Sequence, residues 1–184
     1  GRRQLANTNG YFDITNLSML ALERGATARE AILVMGSLAE KYGYSDGGEE
    51  LSVADPYEAW VFEIIGPGPL WQVGDDEPGA FWVAQRVPDG HVAASANHPV
   101  IDQINFDDPE NFLFVPGIKE YAIAQGWWKA DSKEPFSWRE NFLAYSSPET
   151  CGRRIWRVMT LCNPDLVGKL NENDLPFSVP VKEK

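Results

Sequence analysis

An α+β fold, with helices stacked on the face of an antiparallel sheet, is what the order of patterns in this sequence predicts. Apolar residues at helical spacing fill the first quarter of the chain, period-two segments broken by tight turns fill the middle, and helical spacing returns after Asn97. No segment repeats. The 184 residues, 43% of them hydrophobic and 23% charged, suit one folded domain or one piece of a larger one and exclude a wholly disordered chain.

Asp13 stands before Ile14, Leu17, Met19, Leu20 and Ala21, and Gly25 follows, which predicts a helix over Ile14 to Arg24. Thr27 with Glu30 three residues on forms a capping-box pattern. The apolar positions Ala28, Ala31, Ile32, Met35, Leu38, Ala39 and Tyr42 then recur every three or four residues up to Gly43, predicting a helix over Ala28 to Tyr42. Strand, turn and strand follow at Leu51–Ala54, Asp55–Glu58 and Ala59–Ile65, with Pro56 setting the bend. The prolines, glycines and acids of 66–79 predict a loop. A second hairpin is expected from Ala80–Arg86, a Val87–Gly90 turn and His91–Ala96, making the middle an antiparallel meander. Helical patterns follow at Ile118 to Gly126, after Ser137, whose Glu140 repeats the capping box, and through Ile155, Val158, Met159 and Leu161. Residues 1–170 therefore read as the domain, and 171–184 as a polar tail or strap.

Composition removes several function classes. Sixteen basic residues against 27 acidic ones leave a net charge of −11, a field that repels nucleic-acid phosphates and anionic lipid. No stretch approaches the roughly 18 apolar residues of a membrane span. Cys151 and Cys162 match neither a disulfide framework nor a paired-cysteine zinc site, and two histidines cannot build a His-rich metal centre. No Gly-x-Ser-x-Gly elbow, His-Glu-x-x-His helix or phosphate-binding glycine loop occurs, and the prolines of Gly66-Pro67-Gly68 remove donors a phosphate needs. Asp102, Asp107, Asp108 and Glu110 lack EF-hand spacing, and Asp107–Glu110 reads as a helix start. Trp60 and Trp82 sit in strand patterns as core residues, while Trp127–Trp128 is open between core and groove. Cys151, among Arg153, Arg154 and Arg157, reads as a buried structural cysteine rather than an activated thiol.

Five blocks carry a resemblance: Ala21–Ala31, Gly48–Pro56, Glu58–Glu63, Gly79–Val92 continuing into Ser95-Ala96-Asn97, and Arg153–Arg157. In this order they resemble the dipeptidase family of cysteine peptidases among the N-terminal-nucleophile hydrolases, over roughly Gly10 to Pro164. Bile-salt hydrolases and penicillin V acylases are more distant relatives. The resemblance implies part of an αββα sandwich and an acyl-enzyme route in which an N-terminal Cys attacks an amide carbonyl while its α-amine moves the proton. It implies a dipeptide or short-peptide substrate, no cofactor, and two catalytic positions. Asn97 matches an oxyanion donor, and Arg154 matches an arginine that orients nucleophile or substrate, with Arg153 the alternative one position away. By their residue types alone, Asn97 reads as a turn residue and Arg154 as a surface helix charge.

Residue 1 is Gly rather than Cys, and no charged-then-apolar leader precedes the first helix. The expectation is an internal fragment, inactive alone, whose partners include the remainder of the parent chain. An incomplete sandwich is further expected to leave an apolar sheet face bare or covered by a second copy in a homo-oligomer. The rival readings are a non-catalytic peptide- or glycan-binding module that uses its tryptophans, and an amidase acting on non-peptide amides.

Overall fold

The computed structural model describes residues 5–143 and 148–183, so expectations resting on Gly1 lie outside the described residues. The fold is α+β. Its elements run α1 (Ile14–Arg24), α2 (Ala28–Tyr42), β1 (Glu49–Ala54), β2 (Ala59–Ile65), β3 (Phe81–Arg86), β4 (His91–Ala93), β5 (Phe112–Phe114), α3 (Ile118–Ala124), α4 (Trp138–Phe142), α5 (Pro148–Cys162) and β6 (Ser178–Pro180), with a short 3-10 turn at Pro164–Leu166.

Local chemistry accounts for the first two helices at the predicted bounds. The Asp13 side chain accepts from Asn16 N (2.8 Å) and Thr27 Oγ1 from Glu30 N (3.1 Å), each satisfying an orphan donor of a first turn. Glu30 reaches back to Ala26 N (2.8 Å), one residue before the cap, so the box closes slightly wider than its usual form. Asp55 ties helix to sheet: Oδ1 accepts from Tyr57 N and Glu58 N within the β1–β2 turn, and Oδ2 accepts from Ala28 N at the start of α2 (2.8 Å). Those three N–H bonds hold its carboxyl below the usual range.

The main sheet has the order β1-β2-β3-β5, antiparallel throughout. Residues 60–65 of β2 are buried without alternation, because both faces are covered. On one face lies α2, whose Gly36 passes so close to Trp82 that a Cβ there would stand 2.4 Å from the indole ring. The other carries Phe81, whose ring packs at a tilt against Tyr121 of α3 (centroids 4.2 Å) and Phe142 of α4 (5.2 Å). The expected bare sheet face is thus absent among the described residues: α2 lies over one face, and α3 and α4 pack on the other.

Two expectations need correction. The β3–β4 hairpin does not form, although its turn does, with His91 N on Pro88 O (3.0 Å) and Gly90 at φ 73°. Both edges of β3 are already taken, by β2 and β5, so β4 leaves the sheet and pairs with β6 from the tail as a separate two-stranded ribbon. Asp107–Glu110 starts no helix. Asp108 instead caps a tight turn, accepting from Asn111 N (3.3 Å) and Nδ2 (2.9 Å) and feeding the chain into β5.

Candidate active site

After β4 the chain runs through Ala94–Asn97 along the open end of β1 and β2 and meets the side of α5. A cleft of about 660 Å³ opens there, lined by Glu49, Glu50 and Glu63 from the sheet, Ser95 and Asn97 from the loop, and Arg154 from α5.

Asn97 has φ 55°, the one non-glycine among the described residues in the left-handed region, which Asn tolerates because its short amide can bond locally. Its side chain meets Arg154, whose Nη2 donates to Asn97 Oδ1 (3.0 Å) and to Ala96 O (2.8 Å). A guanidinium can only donate, so this contact assigns Oδ1 to the Arg154 side and leaves the Nδ2 hydrogens for another acceptor. The same Nη2 stands 3.7 Å from Sγ of buried Cys151. Arg153 turns away and pairs with Glu172 (3.0 Å), so Arg154 is the arginine that adjoins Asn97. The sequence-predicted pair is brought together although 57 residues separate its members.

Two further residues escaped the sequence reading. Glu63 is fully buried at the base of the cleft, where Oε1 accepts from Val100 N (2.7 Å) and Ile101 N (3.0 Å) and Oε2 from Trp138 Nε1 (2.8 Å). Glu50 lies directly across the β1–β2 ladder and takes hydrogen bonds from the Ser95 side chain and the His98 backbone. Burial pushes the Glu63 carboxyl up to about 8, the Glu50 charge adds to that, and the N–H donors pull it partly back. Glu50 is raised as well, first by burial. The signal for Glu63 lay in the sequence as a charge placed between Val61 and Ile65 on the same face of an otherwise apolar strand.

The remaining candidates resolve into structure. Trp60 and Trp82 are buried, and Trp127 and Trp128 pack edge-on against Phe142 (5.5 Å) and Phe136 (5.4 Å). Asp102 accepts from Ser137 Oγ and from Arg139 Nη2 (3.3 Å). No cluster of three metal-ligating side chains occurs among the described residues, and no helix among them is long and apolar enough to cross a membrane.

Residues 5–184 match the model of peptidase family C69, and the chain belongs to that family. It is 29% identical over 158 residues to a probable dipeptidase of Latilactobacillus sakei, covering 82% of this chain and 29% of that protein. It is 28% identical over 149 residues to probable dipeptidase A of Streptococcus pyogenes serotype M1 (77% of this chain, 28% of the relative). With dipeptidase A of Lactobacillus helveticus it shares 27% over 159 residues (82% and 29%). The chain thus spans under a third of the length of these curated relatives.

Proposed function

We propose that this chain forms part of a dipeptidase that cleaves short peptides through a cysteine acyl-enzyme, and that the Asn97–Arg154 pair supports the acylation step. In this reading an N-terminal Cys of the parent protein supplies the thiol. Its sulfur adds to the scissile carbonyl carbon as the α-amine takes the thiol proton, the amine product leaves with that proton, and water then hydrolyses the thioester. The carbonyl oxygen becomes an oxyanion on addition, and Asn97 Nδ2 is the donor that meets it. Arg154 holds the Asn97 amide in that orientation and adds a fixed positive charge to the same wall. Thiol chemistry of this kind needs no cofactor.

One observation carries the reading: Arg154 Nη2 on Asn97 Oδ1, which leaves an amide donor at a cleft in a chain of peptidase family C69. The names of the relatives supply the substrate class. A binding module built on tryptophans has a narrower base, a smaller cleft of about 480 Å³ at Trp71 and Trp127, since Trp60, Trp82 and Trp138 are buried.

The test is amino-acid release from a dipeptide panel by the full-length protein containing this chain, with and without thiol alkylation. Turnover abolished by alkylation, and lowered about 10²–10³-fold in kcat by Asn97→Ala, is expected. Turnover indifferent to alkylation, or none at all from correctly processed protein, overturns the dipeptidase reading in favour of another amidase or the binding module.

A further inference from the structure

Asn97 is exposed on a loop, so packing does not fix its side chain, and a donor for an oxyanion works only if it is aimed before the reaction begins. The segment that carries it is nonetheless tied down on both sides. Glu50 takes the Ser95 side chain and the His98 backbone, and Glu63 takes the consecutive backbone N–H groups of Val100 and Ile101. Four attachment points thus straddle residue 97, and both carboxyls stand on the same face of adjacent strands in direct register. Glu63 is itself locked from the far side by Trp138 Nε1.

We propose that Glu63, with Glu50 opposite it, is a second positioning residue for Asn97: while Arg154 holds the side-chain amide, the two carboxyl groups clamp residues 95–101 to the sheet and thereby aim the backbone that carries it into the cleft. This rests on the reading of Asn97 as the oxyanion donor. A carboxyl suits the task because its two oxygens can accept several N–H bonds at once, where an amide has one accepting oxygen and turns a donor toward the rest. A buried acid beside a second acid is costly as a mere packing element, and the register places that cost beneath the segment bearing Asn97. Gln at 63 keeps one oxygen for Val100 and Ile101 but sets an N–H2 against Trp138 Nε1, loosening the anchor while preserving volume.

A double-mutant cycle in the full-length protein distinguishes positioning from general support of the fold. In the otherwise native protein, Glu63→Gln is expected to lower dipeptide kcat about tenfold or more with KM within about twofold, because a mispositioned oxyanion donor weakens the transition state and leaves substrate binding alone. In an Asn97→Ala background the same change is expected to lower kcat by less than about threefold, since the residue it acts through is gone. An equal loss in both backgrounds, or no loss in either, overturns the clamp. Asn97→Ala at wild-type kcat overturns the oxyanion reading itself and the clamp with it, whereas a crippled Asn97→Ala with additive Glu63→Gln overturns the clamp alone. Should Glu63→Gln not yield folded protein, half-buried Glu50→Gln enters the same cycle under the same criteria.

Discussion

Two tryptophan–glutamate pairs lie on opposite faces of the same sheet and do different things. On the α2 face, Trp82 Nε1 donates to Glu40 Oε1 (2.7 Å), joining helix to strand at a half-buried site. On the cleft face, Trp138 Nε1 donates to Glu63 Oε2 (2.8 Å), but there the acid is wholly buried, accepts two backbone N–H groups besides, and faces a second carboxyl. The chemistry of the indole–carboxyl bond is the same. What differs is how many groups depend on the carboxyl, and only the cleft-face acid holds a loop that carries a candidate catalytic side chain.

Unfolding measurements separate the two glutamates. Glu63→Ala strands two backbone N–H groups and one indole N–H in a closed site, with an expected cost of about 3 kcal/mol in urea unfolding. A loss of under about 1 kcal/mol would make the two faces equivalent.

A smaller effect is expected from pH. The folded-state carboxyl of Glu63 titrates near 8 against an ordinary value of 4.5, and Glu40 and Glu50 are also raised by burial. At Glu63 the native state therefore holds a proton that the unfolded chain has already released, so the contribution of this group to stability is lost as pH rises from about 4.5 toward about 8, against an opposite and smaller contribution from His98, whose imidazole is held by burial below its ordinary value. The difference in thermal-unfolding midpoint between wild type and Glu63→Gln should shrink across that window, because His98 titrates alike in both. A difference between the two proteins that stays constant or grows with pH contradicts a protonated Glu63.

The smallest change belongs to the other face. Glu40→Ala removes one acceptor from the Trp82 indole at a site that water can reach, and about 1 kcal/mol of stability should go with it. The kcat of the full-length protein should stay at the wild-type value. A tenfold loss of kcat in this variant would place catalytic dependence on both faces.

Short-range features were readable along the chain. The helices Ile14–Arg24 and Ala28–Tyr42, the Ser137 cap and the β1–β2 hairpin follow from caps, apolar spacing and turn residues that act within a few positions of one another. Asn97 and Arg154 were reached through resemblance, since an Asn after a strand and an Arg on a helix have no distinguishing local pattern. The β3–β4 hairpin failed as an expectation for a long-range reason: β5 and β2 occupy both edges of β3, and no residue within 87–96 encodes that competition.

Local patterns thus suffice for the α+β class and for the positions of the long helices and first strands, and resemblance pointed to the two polar residues now found in contact at the cleft. The supply of β6 from the tail to β4, the cover of β2 on both faces and the place of Glu63 beneath the 95–101 segment arise only once distant segments pack together. Propensity and capping act over one turn of chain, whereas edge pairing and the satisfaction of buried N–H groups depend on whichever segments the completed core brings together.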